Sequence, residues 1–363
     1  MKILRSYIMN ELLGAFFISL AVFTFVLVMG NIVKLAEMVI AKGVDLIYVV
    51  KLFAYLTPYL LSFSMPMSIL TATLLCFGRL SSDNEIIAMR ASGVSLYKMS
   101  FPVIIIGLAL SLGLFWINDK ILPNAHYQSR RALAEIGIKK PTAFLEPGTF
   151  IKNFKDYIIF IYNIKGNKLN GIRIYQPQKD RPVRTIIAKS GEFNVVPEKQ
   201  VLKLRLYNGS SDEPDFDNPA RFYKLNFKVY EVSLNLKDYM PKIDKKPKDM
   251  TIAEIKQEII KLKSSNIEDL NSLKVEMYKK MSLAFSALVF VIIGVPLGIT
   301  TKRSEKSVGF GISLGVIILY YLLSVGFEGA SLKGNMPAAV AMWLPNLILF
   351  LSGIFLICRS AES

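Results

Sequence analysis

The chain has 363 residues, 52% of them hydrophobic and 20% charged, with a formal net charge of +16. The charges are segregated: Leu12–Val33, Leu52–Gly78, Phe101–Asn118, Met281–Thr301, Ser307–Phe327 and Gly334–Cys358 contain no Asp, Glu, Lys or Arg. A helix rises about 1.5 Å per residue and a bilayer core is about 30 Å thick, so about 20 apolar residues cross it. Six such stretches exclude a single water-soluble globule, which would have to hide six helices that are apolar all round.

The positive charge does not point to nucleic acid. Eleven of the sixteen net charges fall between Asp119 and Lys280, spread over many short segments, with no zinc-finger spacing and no continuous basic helix. Both cysteines, Cys76 and Cys358, lie in apolar stretches, so no disulfide framework is expected in the polar block. Lys2 and Arg5 precede an apolar run too long for a signal-peptide core, which reads as an uncleaved first span.

Orientation follows from Lys and Arg in the short loops and tails. Lys2, Arg5, Arg79, Arg90, Lys98, Lys302, Arg303, Lys306 and Arg359 fall on one side, against Lys34, Lys42, Lys51 and Lys333 on the other. The expected arrangement has both termini cytoplasmic and the long block outside. Residues 1–118 carry helices 1–3, with a short cytoplasmic helix at about 81–93. Residues 119–250 form an external β domain, 251–280 a helical connector, and 281–363 helices 4–6.

Within the loop after the second span, Ser81 or Ser82 is expected to cap a short helix with Asp83 and Glu85 in its first turn, favoured by the helix dipole. Gly93 is expected to end it. Such a helix, lying along the membrane and presenting carboxylates, is suited to docking a soluble partner; an ordinary interfacial helix would look similar. Pro58 and Pro66 in the second span and Pro296 in the fourth remove backbone donors and are expected to loosen or kink their helices.

The long block shows period-two alternation over 148–151, 157–164, 171–176, 183–189, 201–207 and 222–236, punctuated by Pro147-Gly148, Lys165-Gly-Asn-Lys168 and Asn208-Gly-Ser210 as turns. An antiparallel β-sandwich or jelly roll is expected. Tyr157-Ile-Ile-Phe-Ile-Tyr162 is apolar on both faces, as in a central core strand or one lining an apolar groove. Its inward positions Ile159 and Ile161 are then candidate lipid contacts. A Lys- and Pro-rich linker begins at Pro241. Thr251-Ile-Ala-Glu254 is a capping box opening a short helix to about Lys263, and a second helix from Asn271 runs unbroken into the fourth span.

Enzymatic chemistry has little to stand on: the one histidine is His126, and no phosphate-binding Gly-rich loop precedes a Lys-Ser/Thr pair. Lys34 closes the first apolar run at the depth of lipid phosphates, where it could bind them as a point charge or simply anchor the helix. Lys42 and Lys51 would extend the same cationic rim.

The run Asn84-Glu-Ile-Ile-Ala-Met-Arg-Ala-Ser-Gly-Val-Ser95 resembles the coupling-helix signature of the LptF/LptG permease family, the membrane subunits of the lipopolysaccharide export ABC transporter. Leu145-Glu-Pro-Gly-Thr-Phe-Ile151 and Ile187-Ala-Lys-Ser-Gly191 are similar to parts of that family's periplasmic jelly roll. Ile293-Gly-Val-Pro-Leu-Gly-Ile299 with Arg303 and Gly309-Phe310 resembles its fourth span and the following loop, and Trp343-Leu-Pro-Asn346 resembles its last span.

The resemblance implies six transmembrane helices with a periplasmic antiparallel jelly roll between helices 3 and 4, in the inner membrane. It implies pairing with a sister permease and docking of an LptB-like ATPase dimer, with Asp83, Glu85 and Arg90 as coupling residues. It further implies transfer of lipopolysaccharide to LptC-like and LptA-like periplasmic proteins. Lys34 matches the family's basic residue at the outer end of the first span, and Lys34, Lys42, Ile159 and Ile161 are the expected substrate contacts. No cofactor is expected in this chain, since ATP would belong to the partner. A permease of the same fold for another large amphiphile, and a membrane anchor displaying a β domain, remain as alternatives.

Overall fold

The computed structural model describes residues 2–40, 43–139, 147–154, 157–165, 168–178, 181–196, 201–214, 222–235, 244–264, 270–300 and 306–362. Its helices are α1 (Lys2–Ile40), α2 (Leu46–Ser82), α3 (Glu85–Ala91), α4 (Leu96–Trp116), α5 (Leu122–Lys139), α6 (Ile252–Ser264), α7 (Asn271–Thr300), α8 (Lys306–Leu332) and α9 (Ala338–Glu362). Its strands are β1 (Phe150–Phe154), β2 (Tyr157–Lys165), β3 (Lys168–Gln178), β4 (Arg181–Val196), β5 (Val201–Pro214) and β6 (Phe222–Asn235). Among the described residues, six helical segments are long and apolar enough to cross a membrane: Ile3–Ile40, Leu46–Ser82, Leu96–Ile136, Asn271–Thr300, Val308–Leu332 and Ala338–Ser360. Six spanning helices with an antiparallel β domain between the third and fourth is the fold class expected from the sequence.

The third span does not stop at Asn118. A π-helical turn, Ile117–Ile121, joins α4 to α5, so the helix continues to Lys139. The wider turn brings Asn118 inward: its Oδ1 accepts a 2.6 Å hydrogen bond from the Ser62 hydroxyl, and the side chain is buried. Asp119 caps the next element from a distance, accepting the Ile252 N–H at 2.7 Å. The capping box forms as its spacing requires. The Glu254 carboxylate accepts the Thr251 N–H at 2.8 Å, and the Thr251 hydroxyl accepts the Glu254 N–H at 3.3 Å.

The chain divides into two compact units. One comprises Met1–Val33, Ala54–Tyr127 and Lys245–Ser363, the other Lys34–Phe53 and Gln128–Asp244. In the first, α2 and α7 are the most buried helices, and their prolines sit inside continuous helices. Small residues let them approach: a Cβ on Gly298 would stand 2.8 Å from the Phe77 Cβ and 3.2 Å from the Leu74 carbonyl. Leu70, Leu74, Phe290, Ile317 and Tyr320 form one buried cluster; Ile8, Leu12, Phe77, Val103 and Val291 belong to another.

In the second unit the six strands pair in sequence order, each antiparallel to the next. Register aligns the apolar side chains: Ile159 faces Ile174 and Ile161 faces Ile172 across β2 and β3, Ile174 faces Ile186 across β3 and β4, and Leu204 faces Val232 across β5 and β6. A flat single sheet would leave such a face open to water, yet residues from all six strands share one buried cluster. The sheet therefore closes around its own apolar face. Pro147-Gly148 forms the expected turn, with Gly148 at φ 78. The Asn208-Gly-Ser210 segment, by contrast, is not a turn. It lies inside β5, where Asn208 takes φ 51 and the pairing with β4 and β6 continues in register on both sides.

Candidate functional site

Helix α3 is only seven residues long, too short to persist alone, and its position is set by packing. Ile86 is 4% exposed and joins the buried cluster containing Ile8, Leu80 and Met99. The expected serine cap is not formed. Ser81 and Ser82 belong to the last turn of α2, where the Ser81 hydroxyl donates to the Ile299 carbonyl at 2.9 Å. Asn84 takes the N-cap position in the left-handed conformation at φ 58, without a side-chain cap bond. Asn tolerates this conformation better than most residues. At the other end Gly93, at φ 80, follows the last turn, with its N–H on the Arg90 carbonyl and the Val94 N–H on the Met89 carbonyl.

Glu85 is not free in space. It accepts a 2.9 Å hydrogen bond from the Tyr7 hydroxyl, Tyr7 accepts from an Arg79 Nη at 2.7 Å, and the Arg79 Nε pairs with Glu11 at 2.9 Å. The last contact is an ion pair without hydrogen-bond alignment. Four residues from α1, α2 and α3 thus form one partly exposed polar chain. Arg90 reaches the Ser360 carbonyl at 3.3 Å, near the end of α9. Between α3 and the ends of α2, α7 and α9 lies an open groove of about 670 Å³, its walls including Ile87, Arg90, Thr300 and Leu356. Asp83 is exposed and Ile87 is 59% exposed. The structure therefore gathers Asp83, Glu85 and Arg90 at one end of the bundle, on a helix fixed from beneath.

Lys34 is exposed on the last turns of α1 and has no ion-pair partner among the described residues. Lys42 lies outside the described residues, as do Leu145 and Glu146 of the first β-domain motif, Lys302 and Arg303, and the linker from Pro241 to Ile243. Lys51 stands over the Tyr48 ring at 5.9 Å. Ile159 and Ile161 point into the closed apolar face of the sheet, at 1% and 0% exposure, with Phe160 and Tyr162 on the opposite face.

Two features escape a reading of the sequence. Tyr7 and Arg79 lie 78 and 6 positions from Glu85, and nothing in their local pattern ties them to it. The second is an ion pair at the edge of the membrane-spanning region, Lys279 Nζ to both Glu328 carboxylate oxygens at 2.7 and 2.8 Å. A signal for it exists: Lys279 stands just before the charge-free stretch of the fourth span and Glu328 just after that of the fifth. Consecutive spans run antiparallel, so the two charges belong to the same membrane face.

Long apolar helices and an inserted β domain, with a short exposed helix mounted at one end of the bundle, define a multi-pass membrane protein. The chain belongs to the lipopolysaccharide export system permease LptF/LptG family, whose model matches residues 6–359. It is 18% identical over 362 residues to the lipopolysaccharide export system permease protein LptF of Escherichia coli (strain K12), covering 98% of this chain and 94% of that one. The same figures hold for LptF of Shigella flexneri. An uncharacterized protein of Rickettsia prowazekii (strain Madrid E) is 25% identical over 205 residues, 56% of this chain and 57% of its own length.

Proposed function

We propose that this chain is one of two paired permease subunits that extract lipopolysaccharide from the outer leaflet of the inner membrane, driven by a separate ATPase dimer. Both termini and α3 face the cytoplasm, and the β domain faces the periplasm. The ATPase docks on α3, and its closure moves the spans through the Glu85–Tyr7–Arg79–Glu11 chain and the buried Ile86. Lys34 holds a lipid phosphate. Acyl chains then pass along the apolar face bearing Ile159 and Ile161 toward LptC-like and LptA-like acceptors. The observation that carries the reading is α3 itself: a docking helix must be rigid beneath and exposed above, and Ile86 is buried while Asp83 and Ile87 are exposed.

The test is Glu85→Lys in the assembled complex. Ammonium at this position repels Arg79 and reverses the charge offered to the ATPase. Loss of ATPase copurification or of lipopolysaccharide release, with the membrane subunit still folded, is the expected result. Unchanged association and release would remove the coupling role.

A further inference from the structure

Charged side chains are expensive within a span and persist where they pair or line a functional cavity. Lys279 of α7 and Glu328 of α8 do both. Their ion pair closes one side of a cleft of about 240 Å³ whose walls include Tyr59, Phe63 and Tyr321. The Tyr321 ring is wedged against Phe63 and Tyr320, with centroid separations of 5.6 and 5.2 Å. Its hydroxyl oxygen is buried and has no hydrogen-bond partner among the described residues. A buried hydroxyl is ordinarily satisfied, so one left over beside a cavity marks a place for an absent acceptor. The cleft is too small for a lipid with several acyl chains, and beside the Lys279–Glu328 pair its polar groups are hydroxyls, those of Tyr59, Ser282, Tyr321 and Ser324 among them.

We propose that this cleft binds the phosphate of an anionic lipid, which takes the place of the Glu328 carboxylate on the Lys279 ammonium and accepts the Tyr321 hydroxyl proton in a hydrogen bond. A phosphate presents several acceptor oxygens and can meet both donors at once, which the single carboxylate of Glu328 does not. Glu328, near the end of α8, is the internal competitor: it neutralises Lys279 while the cleft is empty. The same chemistry is offered by the transported glycolipid and by ordinary bilayer phospholipid. The inference rests on the transport reading only for the identity of the cargo. Binding is read at equilibrium without the ATPase, so failed export leaves it standing.

The experiment uses the full-length chain in maltoside detergent, with bound lipid counted by native mass spectrometry. The probes are bis-phosphorylated lipid A, its dephosphorylated form and phosphatidylglycerol. Glu328→Gln should tighten lipid A binding about tenfold, and Lys279→Gln and Tyr321→Phe should each weaken it about tenfold, the size of one charge-assisted contact. Dephosphorylated lipid A should not respond. Tyr321→Phe keeps the result interpretable, because removing an unsatisfied hydroxyl does not impair folding. Response confined to lipid A assigns the site to cargo, and an equal response with phosphatidylglycerol assigns it to bilayer phosphate. If the pair is only a staple between helices, Glu328→Gln and Lys279→Gln both lower the melting temperature and neither shifts binding in opposite directions; that result, or unchanged binding in all three variants, overturns the proposal.

Discussion

The Tyr7 hydroxyl donates to the Glu85 carboxylate at 2.9 Å across 78 positions of sequence, joining the first turns of α1 to the short helix α3. The contact is exposed, so it adds little to stability, about 0–1 kcal/mol for pairs of this kind. Its value is positional. Tyr7→Phe should leave the melting temperature nearly unchanged and lower lipopolysaccharide-stimulated ATP turnover in the assembled complex about two- to fivefold, an effect of under about 1 kcal/mol. Turnover equal to wild type would make Tyr7 a bystander.

Lys34 carries a sharper expectation because it lacks an ion-pair partner among the described residues. A lysine–phosphate contact is worth about 1.5–3 kcal/mol, or about ten- to a hundredfold in affinity. Lys34→Asp should cut lipopolysaccharide release per assembled complex by at least about tenfold, and Lys34→Arg should retain much of it. If the lysine only anchors α1, Lys34→Asp lowers expression, and the protein that survives releases lipid normally.

Gly298 lies where α7 crosses α2, and a side chain there has no room. Gly298→Val should destabilise the bundle by about 1–3 kcal/mol through overpacking against Phe77. Gly311, whose added Cβ would meet nothing within 4 Å, is the control. Thermal melting in detergent should separate the two clearly, and equal melting temperatures would mean that α2 and α7 can part at little cost.

The capping box of α6 gives a pH prediction outside the spans. Burial works to raise the Glu254 pKa, but hydrogen bonds from the Lys245 ammonium and from Thr251 outweigh it and hold the carboxyl below its ordinary value. A depressed folded-state pKa means that the unfolded state binds the proton more readily. The contribution is therefore complete above about pH 4.3, the ordinary glutamate pKa, and is lost as pH falls through the lower folded value. Amide protection at the start of α6, taken relative to the intrinsic exchange rate at each pH, should fall below that point in the wild type. In Glu254→Gln this part of the pH dependence should vanish; an identical profile in both would assign it to another group.

Elements with a strong local code were legible from the chain alone. Six charge-free runs define the spans because hydrocarbon enforces apolar side chains over a fixed length. The strands of the β domain follow period-two alternation, and the Thr251–Glu254 box needs only its own spacing. Where the local code misled, longer-range structure decided. Asn208-Gly-Ser210 has turn composition, but continuous pairing of β5 with both neighbours keeps it in the sheet. Asn118 carries nothing in its local pattern to signal a π turn, which places it against Ser62 of α2.

What the sequence by itself determined was the set of elements: which segments span, which pair as strands, and that a short helix with an acidic first turn follows the second span. Only the tertiary structure decided what those elements hold together. Tyr7 meets Glu85 because α1 and α3 pack on a common cluster through Ile8 and Ile86. Lys279 meets Glu328, and Tyr321 is left with a buried hydroxyl, because α7 and α8 lie side by side with α2 across the cleft. Hydrophobic periodicity is a property of neighbours in sequence, whereas a hydrogen bond between distant polar groups depends on where whole helices come to rest, and that is fixed by close packing of apolar faces that specify no partner residue by residue.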